Sequence, residues 1–298
     1  MVNNMSSFNS IGLFSSLDNK NITKIANQIS EVLKNLGINV YVANKLKIKG
    51  LEKNIKVISE KSFIKKCDLI IAIGGDGTLI SSARIYGYKG LPVLGVNLGR
   101  LGFLTDIPPE NLTKSLMDII KGKYVEDERF FLESSINNQS NKEIALNEVV
   151  IHSGQLAQMF EYELYLDNSF VYRQKADGII ISTPTGSTAY SLSGNGSIIH
   201  PGVKAINLLP MFPHSLNARP LIIDQEVKIK IKIKSSNKNK TKLSLDSHNS
   251  FNLSQGDEVL IKKSGPLLKL IHPIEHNFYE ASRNKLGWSL NPSSTTKP

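Results

Sequence analysis

Apolar runs of strand length alternate with amphipathic helical segments through the first 121 residues, and this alternation limits the possible folds more than any other feature. Isoleucine and leucine recur at helical spacing over residues 21–36, and Gly37 follows where a helix would end. Repeated strand–helix units favour a parallel sheet covered by helices. The predicted strands are residues 10–14, 38–42, 68–73 and 92–96, and the predicted helices are residues 21–36, 78–86 and 111–121.

The pattern changes near residue 125, and strands dominate from residue 129 onward. In residues 228–234 lysine alternates with isoleucine, which is the period of a strand with one buried and one wet face. We therefore predict an α/β N-terminal domain, a Rossmann-like parallel sheet with helices, over residues 1–125, and a C-terminal all-β, β-sandwich-like domain over residues 126–270. The predicted strands of the second domain are residues 129–136, 144–152, 159–166, 170–174, 178–182, 227–234, 242–245, 259–262 and 267–271.

The net charge of +10 raises the question of a polyanionic partner. Nucleic acid, anionic lipid and phosphorylated small molecules are all candidates for a basic chain. Because many lysines alternate with isoleucine, the excess charge fits the wet faces of strands better than a nucleic-acid surface. We predict small-molecule partners and no binding of nucleic acid.

Cysteine content and the N-terminal residues bear on the compartment. The chain has one cysteine, Cys67, which precedes an apolar run and is expected to be a buried, unreactive thiol. Residues 1–6 lack the basic and apolar regions of a signal peptide, and no apolar stretch approaches the roughly 20 residues that a membrane helix needs. These features predict a cytoplasmic protein without a membrane association.

The segment Gly74-Gly75-Asp76-Gly77 carries the strongest local signal for chemistry. It follows a predicted buried strand and precedes a predicted helix, the place where ligands gather in open α/β sheets. Glycines allow close approach to a ligand, and successive N–H groups can bind an anion, with Asp76 presenting a free carboxylate. The spacing leaves open a second interpretation, in which Asp76 only caps the helix.

Two common nucleotide-binding motifs are absent. Ile80 stands where the third glycine of G-x-G-x-x-G belongs, and the Gly122-Lys123 pair runs into Tyr124 rather than Ser or Thr. The H-R-D and D-F-G signatures of protein kinases are missing as well. The sequence therefore disfavours a redox Rossmann enzyme, a P-loop NTPase and a protein kinase.

Residues 183–193 form a second candidate binding segment. Seven of these eleven residues carry hydroxyl groups, and the segment follows a buried run at residues 179–181. Hydroxyls donate and accept hydrogen bonds, which suits ribose, adenine edges and phosphate oxygens. A Ser/Thr-rich surface loop is the alternative that composition alone leaves open.

Asn147-Glu148 interrupts an otherwise apolar predicted strand. Because adjacent strand residues point to opposite faces, we expect at least one of the two side chains to point inward. A buried polar side chain needs a partner, and a ligand is one candidate. A solvated strand edge is the alternative.

His272 and His276 belong to a possible zinc-binding motif, but the predicted secondary structure around them does not fit that motif. Residues 272–276 match the H-x-x-E-H pattern of some zinc proteases, which needs both histidines on one helix face. A predicted strand runs directly into this segment, and Pro273 does not suit a continuing helix. We therefore predict no metalloprotease site. His214 is expected to fix a loop or contact a ligand.

Taken together, the segments resemble the NAD kinase family, in the family's order and over nearly the whole chain. The combination with T-P-T-G-S-T-A-Y is highly specific, whereas G-G-D-G alone also resembles diacylglycerol-type lipid kinases and phosphofructokinases. The matching segments are residues 74–77, 95–104, 147–148, 175–178, 183–193, 214–220 and 285–288.

The resemblance implies an enzyme that phosphorylates NAD with ATP, and a C-terminal segment, residues 271–298, that returns to the N-terminal domain. Asp76 is then the catalytic residue, which orients the adenosine 2′-hydroxyl first and accepts its proton late, because an ordinary aspartate is a weak base at neutral pH. Mg²⁺ is expected to accompany ATP, held mainly by phosphate oxygens rather than by a protein cage. The residues implied to bind the nucleotides are Gly74, Gly75, Asp76, Gly77, Asn147, Glu148, Lys175, Asp177, Thr185, Ser187, Thr188, Ala189, Tyr190, Ser191, Leu192 and Ser193.

The family also implies a homo-oligomer, a dimer or a homotetramer, in which Lys175 and Asp177 reach the dinucleotide from a neighbouring subunit. His248 departs from the glutamine that relatives often have, and Gln158 lies where relatives vary, so no direct role is assigned to these two. Two other functions share part of the pattern: a lipid kinase with the same G-G-D-G turn, and a non-catalytic dinucleotide sensor.

Overall fold

The computed structural model describes residues 8–46, 48–99, 102–154, 158–235 and 241–287 and divides into two compact units. Unit 1 contains the chain up to Glu128 and resumes at Leu268, and unit 2 is Arg129–Leu267. The helices are α1 (Lys20–Asn35), α2 (Glu60–Lys66), α3 (Asp76–Ile85), α4 (Leu112–Ile120), α5 (Tyr190–Ser193) and α6 (Phe278–Leu286).

The strands account for most of the remaining regular structure. They are β1 (Ser10–Phe14), β2 (Asn39–Ala43), β3 (Ile55–Ile58), β4 (Leu69–Ile73), β5 (Val93–Val96), β6 (Tyr124–Ile136), β7 (Glu143–Ala145), β8 (Glu148–His152), β9 (Phe160–Leu166), β10 (Ser169–Ala176), β11 (Gly178–Ser182), β12 (Ala205–Met211), β13 (Leu221–Asp224), β14 (Ile229–Ser235), β15 (Thr241–Leu245), β16 (Asn249–Leu253) and β17 (Glu258–Pro273).

Unit 1 is built on a parallel sheet in the order β17-β5-β4-β1-β2-β3. The central strand β4 is buried along its whole length, as expected for a strand covered by helices on both faces. Asn19 caps the N-terminus of α1, because its side chain accepts a hydrogen bond from the Ile22 N–H, and the helix buries one apolar face. The predicted parallel α/β sheet is confirmed.

Two elements of unit 1 were absent from the sequence prediction. Strand β3 has four residues and lies at the sheet edge with Val57 exposed, and α2 has only seven residues with Phe63 buried. Elements this short carry too few apolar positions for a periodic pattern to be visible. Cys67, next to α2, is buried as predicted, and burial raises the pKa of its thiol to about 12.

Unit 2 consists of two sheets. One joins β10, β9, β14 and β17 through antiparallel pairs, and the other has the order β13-β12-β11-β8-β15-β16. Their inward side chains form one apolar core, with Leu164 and Ile231 from the first sheet and Ile151, Ile179 and Leu243 from the second. The prediction of a β-rich, sandwich-like C-terminal part is confirmed.

The strand pattern of unit 2 differs from the prediction in two places. Strand β17 is one 16-residue strand rather than two, because Ser264-Gly265-Pro266 stays extended and does not turn the chain. The predicted strand over residues 144–152 is two strands, β7 and β8, in different sheets, and Asn147 lies between them. Strands β12, β13 and β16 were not predicted.

No helix among the described residues is long and apolar enough to cross a membrane. The sequence predicts a loop over residues 235–240 and a loose tail after Ser289. Ser235 is the last residue of β14, whereas residues 236–240 and the tail lie outside the described residues, as do Arg100, Leu101 and Trp288 of the family motifs.

Candidate active site

The glycine turn between β4 and α3 brings Asp76 to the first position of the helix. The helix N-cap is Gly75, without a side-chain capping bond, so the interpretation of Asp76 as a helix cap is wrong. Gly74 has φ 154°, and a Cβ there would lie 2.4 Å from Oγ1 of Thr78, so this position requires glycine. Gly75 and Gly77 are exposed and a Cβ on either would meet nothing within 4 Å, which leaves backbone open to a ligand.

The Asp76 carboxylate is held by the loop that follows β5. Oδ2 accepts a hydrogen bond from the Phe103 N–H at 2.9 Å, and Oδ1 accepts from the N–H groups of Leu104 at 3.1 Å and Thr105 at 3.2 Å. The Thr105 hydroxyl also bonds to Oδ1, at 3.2 Å. The expectation of a free carboxylate is therefore wrong: the loop fixes its orientation, while about a quarter of the side chain stays exposed (24%).

Two further residues lie next to this carboxylate. Nζ of Lys285, on α6, lies 3.2 Å from Oδ2 of Asp76 and 4.9 Å from the Phe103 ring centroid. A Cβ at Gly102 would lie 2.0 Å from Oδ1 of Asp76, so only glycine lets the loop close on the carboxylate. Lys285 and Gly102 belong to segments that resemble the NAD kinase family, but no local sequence pattern links either residue to Asp76.

In unit 2, the interruption between β7 and β8 buries both Asn147 and Glu148. The Asp246 carboxylate explains the backbone shape, because it accepts hydrogen bonds from the N–H groups of Leu146, Asn147 and Glu148 at 2.8, 2.8 and 3.2 Å. Asp246 was not identified as a site residue from the sequence. It lies in the turn before β16 and has a positive φ of 44°.

The Asn147 and Glu148 side chains have unmatched oxygens. Within the described residues, Oδ1 of Asn147 and Oε2 of Glu148 are buried without a hydrogen-bond partner. Burial, and then the nearby Asp246 charge, raise the pKa of Glu148 to about 8, although the Tyr190 N–H donates to its carboxyl. Buried polar atoms without partners are costly, so these two side chains are candidates for hydrogen bonds to a ligand.

The hydroxyl-rich segment lies against this interruption. The Thr183 hydroxyl donates to the Leu146 carbonyl at 2.7 Å and accepts from the Gly186 N–H at 3.1 Å. A Cβ at Gly186 would lie 2.1 Å from the Asn147 carbonyl oxygen, so the glycine permits this contact. The segment and Asn147-Glu148 therefore form one constellation.

Not every predicted hydroxyl faces solvent. Ser187 and Ser191 are fully buried; the Ser187 hydroxyl donates to the Pro184 carbonyl, and Ser191 accepts from the Asn207 amide. Thr185 accepts from the Arg129 guanidinium at 3.0 Å. The structure thus gives these three side chains internal bonds that shape the segment. Tyr190 is 43% exposed, and Thr188, Ala189 and Leu192 are half-buried; the last predicted residue, Ser193, is exposed.

Lys175 and Asp177 lie at the other end of β11 from this constellation. Glu148 pairs with Ser182 at one end of the strand, and His152 pairs with Gly178 at the other. Five strand residues span roughly 17 Å at about 3.3 Å per residue. Unit 2 therefore does not bring Lys175 and Asp177 together with Glu148. His214 lies near Lys175, whose carbonyl accepts the His214 N–H.

Comparison with known protein families identifies both parts of the chain. The family model of the ATP-NAD kinase N-terminal domain matches residues 11–124, and the family model of the ATP-NAD kinase C-terminal domain matches residues 146–273. The chain belongs to the ATP-NAD kinase family. The family resemblance inferred from the motifs is confirmed.

Relatives within this family align over almost their whole length. The chain is 42% identical to the NAD kinase of Saccharophagus degradans over 288 residues, covering 96% of this chain and 98% of the relative. It is 41% identical to the NAD kinase of Teredinibacter turnerae with the same coverage.

Solved structures of the family share the fold. The yeast NADH kinase, solved in complex with NADH, superposes with a TM-score of 0.85 at 26% identity, covering 95% of this chain and 88% of that one. The Archaeoglobus fulgidus NAD kinase, solved in complex with ATP, has a TM-score of 0.70 at 24% identity and shows the fold alone.

Proposed function

We propose that this chain transfers the γ-phosphoryl group of ATP to the 2′-hydroxyl of the adenosine ribose of NAD and so forms NADP. It is then a phosphotransferase with an alcohol group as acceptor. The observation that carries the proposal is the Asp76 carboxylate, oriented by four hydrogen-bond donors of the following loop at the end of a glycine turn. Family membership and the NADH complex of the yeast relative support it.

The reaction breaks the bond between the γ-phosphorus and its bridging oxygen and forms a bond to the ribose 2′-oxygen. Such transfers have loose transition states, so positioning and neutralisation of charge supply most of the catalysis. Asp76 orients the 2′-hydroxyl and accepts its proton late, and ADP leaves with the bridging oxygen. Because two of its donors engage Oδ1 through the backbone, the carboxylate is preorganised for this contact.

The exposed backbone at Gly75 and Gly77 supports a role in holding phosphate groups. Gly75 precedes α3, and Gly77 lies in its first turn. N–H groups at the start of a helix favour the binding of anions. Mg²⁺ bound to ATP supplies further neutralisation of the phosphate charge, and phosphate oxygens are its main expected ligands.

The unmatched oxygens of Asn147 and Glu148 support binding of NAD in unit 2. Oδ1 of Asn147 can accept a hydrogen bond from a ribose hydroxyl or an amino group, and the protonated carboxyl of Glu148 can donate to or accept from a ribose hydroxyl. Tyr190, whose N–H donates to the Glu148 carboxyl, belongs to the hydroxyl-rich segment, as does Thr188. Lys175 and Asp177 lie at the other end of β11, and we expect them to contact the dinucleotide of a neighbouring subunit in a homo-oligomer.

An assay of NADP formation tests the proposal. The full chain is incubated with Mg²⁺, NAD and either ATP, another nucleoside triphosphate or polyphosphate, and NADP is read out by an NADP-specific dehydrogenase. A diacylglycerol arm with radiolabelled ATP runs beside it. We expect NADP with ATP and no lipid phosphorylation. A labelled lipid would identify a lipid kinase, and NAD binding by calorimetry without NADP formation would identify a sensor.

Three further expectations stay predictions. They are a dimer or homotetramer in solution, a cytoplasmic location, and a division of the chain into 1–125, 126–270 and a returning segment 271–298.

A further inference from the structure

The histidine motif at residues 272–276 forms a cluster that the proposed reaction does not use. His272 lies near the end of β17, and His276 lies in the turn that leads to α6. The segment is not helical, which confirms that it is not a metalloprotease helix. However, both imidazoles point to the same carboxylate, that of Asp106, which follows directly after the loop that holds Asp76.

The three side chains converge on one point. Nδ1 of His272 lies 2.9 Å from Oδ2 of Asp106, and Nδ1 of His276 lies 2.8 Å from the same oxygen. One ligand atom from each of the three side chains lies within 4.8 Å of the other two. All three side chains are largely buried, with exposed fractions of 2%, 14% and 14% for His272, His276 and Asp106.

The cluster has polar atoms that the described part of the chain leaves unmatched. Oδ1 of Asp106 and Nε2 of His272 are both buried and have no hydrogen-bond partner there. His272 is 1% exposed, so water does not reach it readily. The hydrogen bonds within the cluster therefore do not use all of the ligand atoms that its side chains offer.

A cavity of about 400 Å³ opens directly onto the cluster. Asp106 and His276 form part of its wall, and the rest of the lining includes the acidic Asp118 and Glu280 and the basic Lys114 and Lys123. The cavity gives an ion a way in, and it has room for a water molecule as a further ligand. Glu275, the acidic residue of the motif, also lines the cavity and is not part of the converging set.

We propose that Asp106, His272 and His276 bind one divalent transition-metal ion, with Zn²⁺ as the best match. Two imidazole nitrogens and one carboxylate oxygen, with water in a fourth position, are a ligand set that zinc takes at about 2.0–2.2 Å. The observed N–O separations are slightly shorter than the roughly 3.3 Å expected between tetrahedral ligands at that bond length. The ligands therefore move apart by about half an ångström when the ion enters.

Binding of the ion requires the two imidazole rings to reorient. The two imidazoles are stacked, with centroids 3.9 Å apart and planes 18° apart. Nitrogen lone pairs lie in the ring planes, so the rings must turn apart for both Nδ1 atoms to face one ion. Metal binding therefore unstacks His272 and His276.

The position of the cluster connects this ion with Asp76. Asp106 follows Thr105, whose N–H and hydroxyl bond to Asp76, and His276 precedes α6, which carries Lys285. An ion that joins Asp106 to His276 ties together the two parts of unit 1 that orient the Asp76 carboxylate. The ion is thus structural, and it fixes the C-terminal segment of the unit.

Metal titration of the full chain tests the inference without reference to any substrate. The chain is stripped with a chelator and titrated with Co²⁺, whose visible absorption reports nitrogen and oxygen coordination, and then with Zn²⁺ in competition. His276→Gln and Asp106→Asn remove one ligand each, and His214→Gln removes an exposed histidine as the matched control. Melting curves of each metal-free variant check folding.

We expect one ion per chain, a rise in Tm on adding Zn²⁺, and at least a tenfold weaker affinity in His276→Gln and Asp106→Asn but not in His214→Gln. The inference is overturned if the unmodified chain binds no Co²⁺ or Zn²⁺, or if both ligand variants bind as tightly as the control. If one ligand variant fails to fold, the other decides. NADP formation is not part of the readout, so this outcome is independent of the proposed reaction.

Discussion

The ammonium nitrogen of Lys285 lies 3.2 Å from Oδ2 of Asp76, although the two residues are 209 positions apart in the sequence. The exposed fraction of the lysine side chain is 35%, so solvent weakens the pair, and exposed ion pairs contribute only about 0–1 kcal/mol to stability. The contact therefore matters more for the position and charge of the carboxylate than for the folded state.

Lys285→Gln tests this interpretation. The variant keeps most of the side-chain length and removes the charge, so the Asp76 carboxylate loses its cationic partner while the four loop bonds remain. We expect kcat for NADP formation to fall by roughly tenfold with little change in Tm or in the affinity for NAD. Steady-state kinetics, calorimetry and a melting curve measure these three quantities.

Lys121→Gln is the matched control for Lys285→Gln, because Lys121 is an exposed lysine of unit 1 at the end of α4. Equal kcat values for the two variants would show that the ammonium of Lys285 does not act on Asp76.

Stability should depend on pH through Glu148. Its pKa is about 8 in the folded chain because of burial and the Asp246 charge, against 4.5 for the ordinary carboxyl. Between these values the folded state keeps a proton that the unfolded state has lost, so the contribution of Glu148 to stability is fully present below pH 4.5 and is lost as pH rises through 8. The whole effect is on the order of 3–5 kcal/mol.

Denaturant unfolding at several pH values measures this dependence. In Glu148→Gln we expect the loss of stability between about pH 5 and pH 8 to be smaller by this amount, because glutamine does not titrate. Glu226→Gln changes an exposed glutamate of the same unit and should leave the slope as it is. A Glu148→Gln chain with the slope of the unmodified chain would contradict the raised pKa.

Gly186→Ala should disturb the segment that lies against Asn147. The new Cβ would lie 2.1 Å from the Asn147 carbonyl oxygen, and backbone on both sides has little freedom to move. Overpacking of this kind costs about 1–3 kcal/mol, so we expect a lower Tm together with a higher KM for NAD. Gly265→Ala is the control, because a Cβ there meets nothing within 4 Å. Identical melting and KM values for both variants would show that the close approach is not required.

Lys175 should act on the active site of a neighbouring subunit. Its side chain is exposed at the far end of β11 from Glu148. We expect Lys175→Ala to raise the KM for NAD, and light scattering to give a mass that is a multiple of the monomer.

Mixed oligomers separate action within one chain from action between chains. Asp76→Asn and Lys175→Ala chains are unfolded together and refolded as a mixture. If Lys175 acts between chains, some sites combine an intact Asp76 with an intact Lys175 and regain the normal KM. If no such sites appear, Lys175 acts within its own chain or not on NAD.

The sequence predicted the regular parts of the fold because they depend on local periodicity. Helices α1 and α4 and strand β4 lie within one or two residues of their predicted bounds, since each has enough apolar positions to show its period. Strand β12 was missed, although all but its last residue are buried, because its apolar run is interrupted by Asn207 and Pro210. Proline is unusual in a strand with partners on both sides.

The candidate site could be predicted only where one short segment carries it. The glycine turn at Asp76 and the polar interruption at Asn147-Glu148 were both visible, since unusual residues stand next to buried strands. The donors that hold Asp76 come from 27 to 29 residues away, and the Asp106 contacts to His272 and His276 span 166 and 170 residues. No local pattern encodes such contacts, and only the folded chain shows them.

The kinetics of Asp76→Asn are the most direct test of the proposal that Asp76 accepts the proton of the 2′-hydroxyl. The measurement is the rate of NADP formation from NAD and Mg²⁺-ATP at saturation, with NAD affinity by calorimetry and Tm as checks that the variant is folded. Loss of a general base typically costs about 10²–10⁴-fold, so we expect kcat to fall by that factor with NAD still bound. A folded Asp76→Asn chain that forms NADP at the rate of the unmodified chain would contradict it.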